Sequence, residues 1–190
     1  MTTEVKSIKQ SVIQALQEAE EKYGLDTTDI QKRIEASTKL DKDTTQEALF
    51  YSLNRIAMDQ PNWTFVAAQF LLQQLYETAA QNRGYKADQQ YGEFYHLIES
   101  LTNIGIYNKD ILTHYSKDEI DDLQLAIQPE RDNLFNYIGL FLLADRYLAR
   151  DHDRNLYELP QERFMVIAMT LMQNEAPEKR QELVKEAYWL

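Results

Sequence analysis

The sequence predicts an all-α protein, and three observations support this class. Only 5 Gly and 4 Pro occur in 190 residues, so the chain has few of the turn signals that many short strands would require. Apolar residues recur at three- and four-residue spacings, which is the period of an amphipathic helix. The hydrophobic fraction of 44% is enough for a substantial core. We therefore expect a multi-helix orthogonal bundle, with one short β-hairpin near residues 147–159 as its exception.

Three amphipathic helices are predicted before Pro61. The first ends at Gly24, because glycine suits a helix C-terminal cap. The second is short and is capped by Asp26 or Thr27, and the third is capped by Asp43 or Thr44. Their apolar positions are Val5, Ile8, Val12, Ala15, Leu16 and Ala19, then Ile30 and Ile34, then Ala48, Leu49, Leu53 and Ile56.

The next segment, which begins at Pro61, is apolar nearly all round and is predicted to be a central, largely buried helix. Proline suits the first turn of a helix, and an apolar surface on every side indicates burial. Its apolar residues include Phe65, Ala68, Phe70, Leu71, Leu72 and Leu75. A polar connection follows over residues 82–92, and its part 85–92 is the predicted subdomain boundary.

The second half of the chain predicts five further helices. FYHLIESLTNIG ends at Gly105, and SKDEIDDLQLAI is a short capped helix. A long buried helix is predicted from Pro129 onward, with a broad apolar face of Leu134, Tyr137, Ile138, Phe141, Leu142 and Tyr147. The last two helices each have a proline at or near the first turn. The first of them carries a stripe of Phe164, Ile167, Ala168, Leu171 and Met172.

Composition excludes several classes of function. With 31 acidic and 20 basic residues the formal charge is -11, and no dense block of Lys and Arg could neutralise phosphates, so neither nucleic acid nor an anionic membrane is an expected partner. The start MTTEVKSIKQ resembles neither a signal nor a transit peptide, and no apolar run is long enough to cross a bilayer, which predicts a cytoplasmic protein. The absence of cysteine excludes disulfides and thiolate chemistry within these residues.

Residues 151–162, DHDRNLYELPQE, have the ligand spacing of an EF-hand calcium loop. Asp151, Asp153, Asn155 and Glu162 stand at its first, third, fifth and twelfth positions. Position six, however, holds Leu156 instead of the glycine that the sharp turn requires, and no second loop of this kind occurs. We prefer two strand-like runs, 147–150 and 156–159, joined by a polar turn that Asp151, Asp153 and Asn155 form. Calcium binding is the weaker alternative.

Three other pairs of polar residues are candidates for chemical sites. His114 with Asp118, and Glu158 with Glu162, have the four-residue spacing of one helix face, and His96 lies near Glu99. Each pair lacks a third ligand or catalytic partner, so solvated charges are the preferred interpretation. No phosphate-binding loop or nucleophile motif occurs. We therefore predict no catalytic, cofactor-binding or metal-binding residue in this chain.

One extended pattern is more specific than these pairs. It comprises Glu130, Arg131 and Asp132; Arg146, Tyr147 and Leu148; residues 158–165, ELPQERFM; and, upstream, Asp59, Pro61, Trp63, Val66, Ala67, Ala68 and Leu75. In this order the residues resemble the N-terminal helical region of the ribonucleotide reductase large subunit. The acidic connection IYNKDILTHYSKDEIDDLQLAI is similar to the segment between the two parts. The resemblance covers residues 43–190.

The resemblance implies a structural domain of an oxidoreductase that makes deoxyribonucleotides for DNA replication. In the family this region, here 86–190, precedes a catalytic barrel that carries the active-site cysteines, so the barrel is an implied partner and this chain alone is expected to be inactive. ATP and dNTP effectors and a radical-generating small subunit are implied for the parent enzyme, although a cobalamin-dependent parent stays open. Whether the chain is a natural fragment also stays open. The alternative is a free-standing, all-helical interaction module.

Residues 1–85 resemble a partial or degenerate ATP-cone, the nucleotide-sensing module that begins many of these subunits. The family's basic hairpin motif is missing before Val5. After Leu75 its basic residues are replaced by Tyr76, Glu77 and Thr78. Because phosphate binding without cations is unfavourable, we expect no nucleotide binding by this chain.

Overall fold

The computed structural model describes residues 8–37, 41–85 and 90–190, and over these ranges it contains helices and no β-strand. The predicted all-α class is confirmed. Val5 of the first predicted helix and residues 86–89 of the predicted connection lie outside the described residues. The α-helices are α1 (Ile8–Tyr23), α2 (Thr28–Ala36), α3 (Asp41–Ala57), α4 (Trp63–Arg83), α5 (Phe94–Asn103), α6 (Asp110–His114), α7 (Lys117–Gln124), α8 (Tyr137–Arg146), α9 (Pro160–Met172) and α10 (Pro177–Trp189), and a 3₁₀ helix spans Pro129–Leu134.

The chain divides into two compact units. The first unit comprises the residues up to Gln74 together with Asn133–Leu142, and the second comprises Leu75–Asp132 together with Leu143–Leu190. Helices α4 and α8 therefore contribute residues to both units. No helix in the described ranges has both the length and the apolarity needed to cross a bilayer.

The first unit is built around α1, α2 and α3, which contact one another. Gly24 ends α1 as predicted: its φ of +64° lies in the left-handed region, and its N–H donates to the Glu20 carbonyl over 3.0 Å. The apolar stripes that the sequence indicates meet in one core, whose buried members are Val12, Leu16, Ala19, Ile30, Ile34, Ala48, Leu49, Trp63, Val66, Ala67 and Phe70.

The second unit packs α9 against α10 and α5 against α7. Ser116 begins α7 with a capping box, in which its hydroxyl accepts from the Glu119 N–H and the Glu119 carboxylate accepts from the Ser116 N–H. The core of this unit consists of Phe94, Leu97, Ile98, Leu101, Tyr107, Ile111, Tyr115, Ile120, Leu123, Ala149, Met165, Val166, Ala168, Met169, Val184 and Tyr188.

The prediction of one long buried helix after Pro129 is wrong. The chain forms the 3₁₀ helix, breaks, and starts α8 after Asn136, whose side-chain oxygen accepts from the Gly139 N–H over 2.8 Å. The broad face predicted as buried is largely exposed: Leu134, Ile138, Phe141, Leu142 and Tyr147 are all between 40% and 76% accessible. Because α8 is apolar on more than one side, periodicity could not indicate which side the rest of the chain covers.

The predicted apolar stripe of α9 differs from its buried face in the same way. Ile167 and Leu171 are exposed, Phe164 and Met172 are partly buried, and Ala168 is the one fully buried member. The core-facing apolar side chains are Met165, Val166, Ala168 and Met169.

The predicted β-hairpin at 147–159 is not confirmed, because the described residues contain no strand there. A single antiparallel bridge joins Arg150 and Leu156. The Tyr157 N–H donates to the Ala149 carbonyl over 3.3 Å, and the chain reverses between these residues in a turn.

Candidate functional site: a buried polar network and an outward apolar helix face

The turn at 151–155 uses its acidic side chain to hold its own backbone. The Asp151 carboxylate accepts from the backbone N–H groups of Asp153 and Asn155 over 2.9 and 2.8 Å, and from the Asn155 amide over 2.9 Å. These donors hold the pKa of Asp151 below its usual range, because each favours the charged form. The structure confirms Asp151 as a turn-forming residue. Arg154 completes the turn with a φ of +66°.

Glu158 lies directly after this turn and is completely buried. Its carboxylate accepts from the Tyr107 hydroxyl and from the Ala149 N–H, the latter over 2.7 Å, and it lies 2.7 Å from Nε of Arg163. Burial raises the pKa of Glu158 to about 7, although Arg163 and the two donors act against this shift. Glu158 therefore joins the turn segment to the α5–α6 connection and to α9.

Glu162, one helical turn further on, is held by Arg83 at the end of α4. The guanidinium contacts both carboxylate oxygens, one of them through Nη1 over 3.0 Å, and its Nε donates to the Tyr157 carbonyl over 2.6 Å. The neighbouring Asn82 amide donates to the Leu156 carbonyl over 2.8 Å. Glu162 also accepts from the Leu159 N–H over 2.8 Å, which caps α9. This bidentate pair thus fixes the end of α4 to the segment that leads into α9.

A second buried carboxylate centre surrounds Asp132 in the 3₁₀ helix. One carboxylate oxygen accepts from the hydroxyls of Tyr76 and Tyr91, each over 2.6 Å, and the other accepts from the Gln161 amide over 2.8 Å. Gln161 accepts in turn from the Tyr188 hydroxyl over 2.9 Å. Burial raises the pKa of Asp132, and the three donors oppose that shift. The centre links α4, the 3₁₀ helix, α9 and α10 within the second unit.

The polar pairs singled out in the sequence differ from one another in their surroundings. The side chains of His96 and Glu99 are both exposed, 3.8 Å apart, in agreement with the expectation of solvated charges. Glu158 and Glu162 are not solvated, which corrects our expectation, and Glu158 precedes α9 instead of sharing a helix face with Glu162. His114 and Asp118 also belong to separate helices, because the chain becomes extended at Tyr115. In the described part of the chain, no group of three or more metal-ligating side chains is placed to hold an ion.

The buried polar groups are directed at one another and at the backbone, which positions the 149–162 segment. Glu158 and Glu162 each combine a cation with at least one further donor. A buried ion pair of this kind adds little net stability over an apolar pair, but breaking it is costly. The network therefore holds one specific path of the chain.

Helix α8 carries exposed apolar side chains, in contrast to the buried polar network. Ile138, Phe141 and Leu142 are 66%, 46% and 40% exposed and share one side of the helix, which we call the α8 outer face. The other side of α8 carries the buried residues Leu140 and Ala144. The α8 outer face is thus an apolar helix face that the described residues leave accessible.

Comparison with known proteins identifies the segment that contains these features. Residues 133–190 match the family described as ribonucleotide reductase, all-alpha domain. The ribonucleoside-diphosphate reductase subunit alpha of Helicobacter pylori is 36% identical over 167 residues, covering 82% of this chain. The phage T4 subunit alpha is 28% identical over 181 residues and covers 93% of the chain, and that of Synechocystis is 30% identical over 137 residues and covers 72%. Residues 133–190 thus belong to the all-alpha domain of ribonucleotide reductase, and most of the chain is similar to the large subunit of that enzyme.

The similarity covers only part of the length of each relative. The chain spans about a fifth of the length of the curated relatives it matches, 20% for the Helicobacter pylori subunit and 23% for the T4 subunit. The segment that matches the all-alpha domain includes α8, α9, α10 and the turn segment with Glu158 and Glu162. Asp132 lies one residue before that segment.

Some residues of the buried network belong to patterns that are visible in the sequence, and others do not. Asp132, Glu158 and Glu162 lie in the pattern that resembles the large subunit, yet nothing in their spacing indicated burial. Arg83 and Tyr107 were missed, because their partners lie 79 and 51 residues away in the chain. One local signal is present in the sequence. Glu162 is the third residue of α9, which begins at Pro160, and a glutamate at this position is typical of a helix cap.

Proposed function

We propose that this chain is the N-terminal helical domain of a ribonucleoside-diphosphate reductase alpha subunit. The observation that carries the proposal is 36% identity to the Helicobacter pylori subunit over most of the chain. The parent enzyme reduces ribonucleotides to deoxyribonucleotides for DNA synthesis, in the cytoplasm, with ATP or dNTP effectors and a radical-generating small subunit. The domain braces the catalytic barrel of its own subunit and supplies no catalytic residue.

The chemistry of the chain agrees with a role without catalysis. A thiyl radical and a reducing dithiol both need sulfur in the form of cysteine, and these 190 residues contain none. The buried carboxylates are occupied by structural partners, as the contacts of Glu158, Glu162 and Asp132 show. The chemistry must then come from a part of the subunit that this chain does not include.

The proposal assigns residues 1–85 to a degenerate ATP-cone and residues 86–190 to the helical domain proper. The first unit has a depression of about 540 Å³ whose charges do not favour an anion. Among its described lining residues the one cation, Arg33, pairs with Asp29 over 3.0 Å, and Asp43 adds negative charge. A phosphate group placed there would meet net negative charge.

Two finer features of the fold also belong to the proposal. We infer an orthogonal arrangement of the helices within the domain and a short hairpin at 147–159. The Arg150–Leu156 bridge supports the hairpin.

A chimeric subunit tests the function. This chain replaces the matching 167 residues of the Helicobacter pylori subunit alpha, and reduction of a ribonucleoside diphosphate is measured with that enzyme's small subunit. We expect activity within about tenfold of the parent, because a tenfold loss corresponds to only ~1.4 kcal/mol of transition-state stabilisation. The control is the same subunit without the segment, which should be inactive.

Two results would contradict the assignment. A folded chimera with no more activity than the control would remove the enzymatic role and leave the free-standing interaction module as the better hypothesis. Turnover by the 190-residue chain alone, with small subunit and dithiol present, would show that the domain is catalytic after all.

A further inference from the structure

The amino acids of α8 are those of a helix buried on both sides. From Asn133 to Ala144 the chain contains no charged residue, although 27% of all residues are charged. A helix that is apolar all round normally lies inside a larger protein. Among the described residues, the side of α8 that carries Leu140 and Ala144 is covered, and the α8 outer face is accessible.

The α8 outer face is also held in place before any partner binds. Phe141 stacks on Tyr137 with ring centroids 5.9 Å apart and an interplanar angle of 25°. The Tyr137 N–H donates to the Thr64 hydroxyl over 3.2 Å, which fixes the first turn of α8 to α4. A face whose side chains are already ordered loses less conformational entropy on binding.

We propose that the α8 outer face docks onto the remainder of the alpha-subunit polypeptide, the portion of the subunit that lies outside this chain. This inference rests on the proposed function. Two observations select that occupant: the face lies inside the segment that matches the all-alpha domain, and the chain spans only 20% of its Helicobacter pylori relative. The partner surface is apolar opposite Ile138, Phe141 and Leu142.

A second copy of the chain is a poorer occupant for two physical reasons. The three side chains of the α8 outer face expose roughly 300 Å², whereas a stable interface between separate proteins buries about 800 Å² on each partner. Two copies would also bring together two chains of formal charge -11. The small area is no obstacle for a partner in the same polypeptide. Docking within one chain avoids the loss of free translation and rotation, so a smaller interface is sufficient.

The edge of the face fits an interface of moderate size. Asp145 and Arg146 at the end of α8 are exposed, so charged groups border the apolar residues on that side. An apolar centre with a polar rim is the usual anatomy of a specific contact.

Thiol labelling tests the docking face directly, because the chain has no cysteine of its own. Ile138→Cys and Leu142→Cys place single thiols on the α8 outer face. Leu125→Cys is the matched control, since Leu125 is an exposed apolar residue outside the all-alpha match, 82% accessible. Maleimide labelling is followed by mass spectrometry of the tryptic peptides 132–146 and 118–131, in the isolated chain and in the chimeric subunit.

The expected result is labelling at 138 and 142 that is at least about tenfold slower in the chimera than in the isolated chain, with unchanged labelling at 125. Equal rates at 138 and 142 in an active chimera would overturn the docking proposal and leave the proposed function intact. Slower labelling at 138 and 142 in a chimera without activity would support docking and contradict the proposed function as a domain of the reductase. Protection in the isolated chain that increases with its concentration would identify a second copy as the occupant and overturn the proposal.

Discussion

Replacing Arg83 by Met is predicted to destabilise the second unit by about 3–5 kcal/mol at pH 7, the usual cost of leaving one partner of a buried ion pair alone. The side chains of Arg83 and Glu162 are 4% and 0% exposed, so water cannot replace the lost contacts. The substitution removes both guanidinium contacts to Glu162 and the bond to the Tyr157 carbonyl. Met keeps most of the apolar stem of Arg83, so the loss is electrostatic.

The magnitude should depend on pH in a defined direction. Burial already raises the pKa of Glu162 while Arg83 acts against the shift, so removal of Arg83 should raise that pKa further. A carboxyl group with a pKa higher in the folded than in the unfolded state stabilises the fold as pH falls. The difference between the wild type and the Arg83→Met variant should therefore become smaller from pH 7 to pH 5.

Urea unfolding followed by circular dichroism measures these free energies. The matched control is Arg33→Met, because Arg33 pairs with Asp29 over a similar distance of 3.0 Å while both side chains are more than half exposed. We expect the control to lose less than about 1 kcal/mol. The double variant Arg83→Met/Glu162→Gln should be more stable than the sum of the two single losses predicts, by about 2 kcal/mol.

The reasoning would be refuted if the Arg83→Met variant lost no more than the Arg33→Met control. It would also fail if the effects of Arg83→Met and Glu162→Gln were simply additive. Either result would mean that the pair does not act as a buried, coupled unit.

Three further predictions concern single positions. Burial raises the pKa of Glu158 to about 7 from an ordinary 4.5, so between these pH values the folded state binds more protons than the unfolded state, and stability falls as pH rises. The Glu158→Gln variant should lack this pH-dependent component of stability, which is on the order of 3 kcal/mol. Urea unfolding at pH 5 and at pH 8 measures it. Arg154→Gly should raise the melting temperature, with a gain of up to about 1 kcal/mol, because glycine carries no steric cost at a φ of +66°, whereas Arg154→Ala should not. On α8, Leu140→Ala should lower the free energy of unfolding by about 2–5 kcal/mol and Leu142→Ala by less than about 1 kcal/mol, because Leu140 is fully buried and Leu142 is 40% exposed. Equal losses in denaturant titrations would mean that α8 does not have one buried and one exposed side.

The elements of the fold were largely predictable because their signals are local. The cap at Gly24, the capping box that begins at Ser116 and the prolines that start α9 and α10 all act within one helical turn. The break before α8 was missed for a related reason. Asn136 is a good helix-capping residue, but it lies within an apolar pattern that continues on both sides of it.

The buried network was not predictable from the sequence, because burial of a charge depends on what arrives from elsewhere in the chain. A local sequence pattern does not distinguish a glutamate that faces water from a glutamate that pairs with a distant arginine. Spacing alone therefore predicts that Glu158 and Glu162 are solvated. Their burial depends on contacts with Arg163, Arg83 and Tyr107.

The sequence by itself determined the helical class, several helix starts and ends, the absence of cysteine from these 190 residues and the resemblance to the reductase large subunit. These properties follow from composition, from the 3.6-residue period and from short-range capping. Only the tertiary structure decided which apolar side of α8 is covered, which carboxylates are buried and how the 149–162 segment is held. These depend on contacts between residues that are far apart in the chain, and no local pattern specifies them.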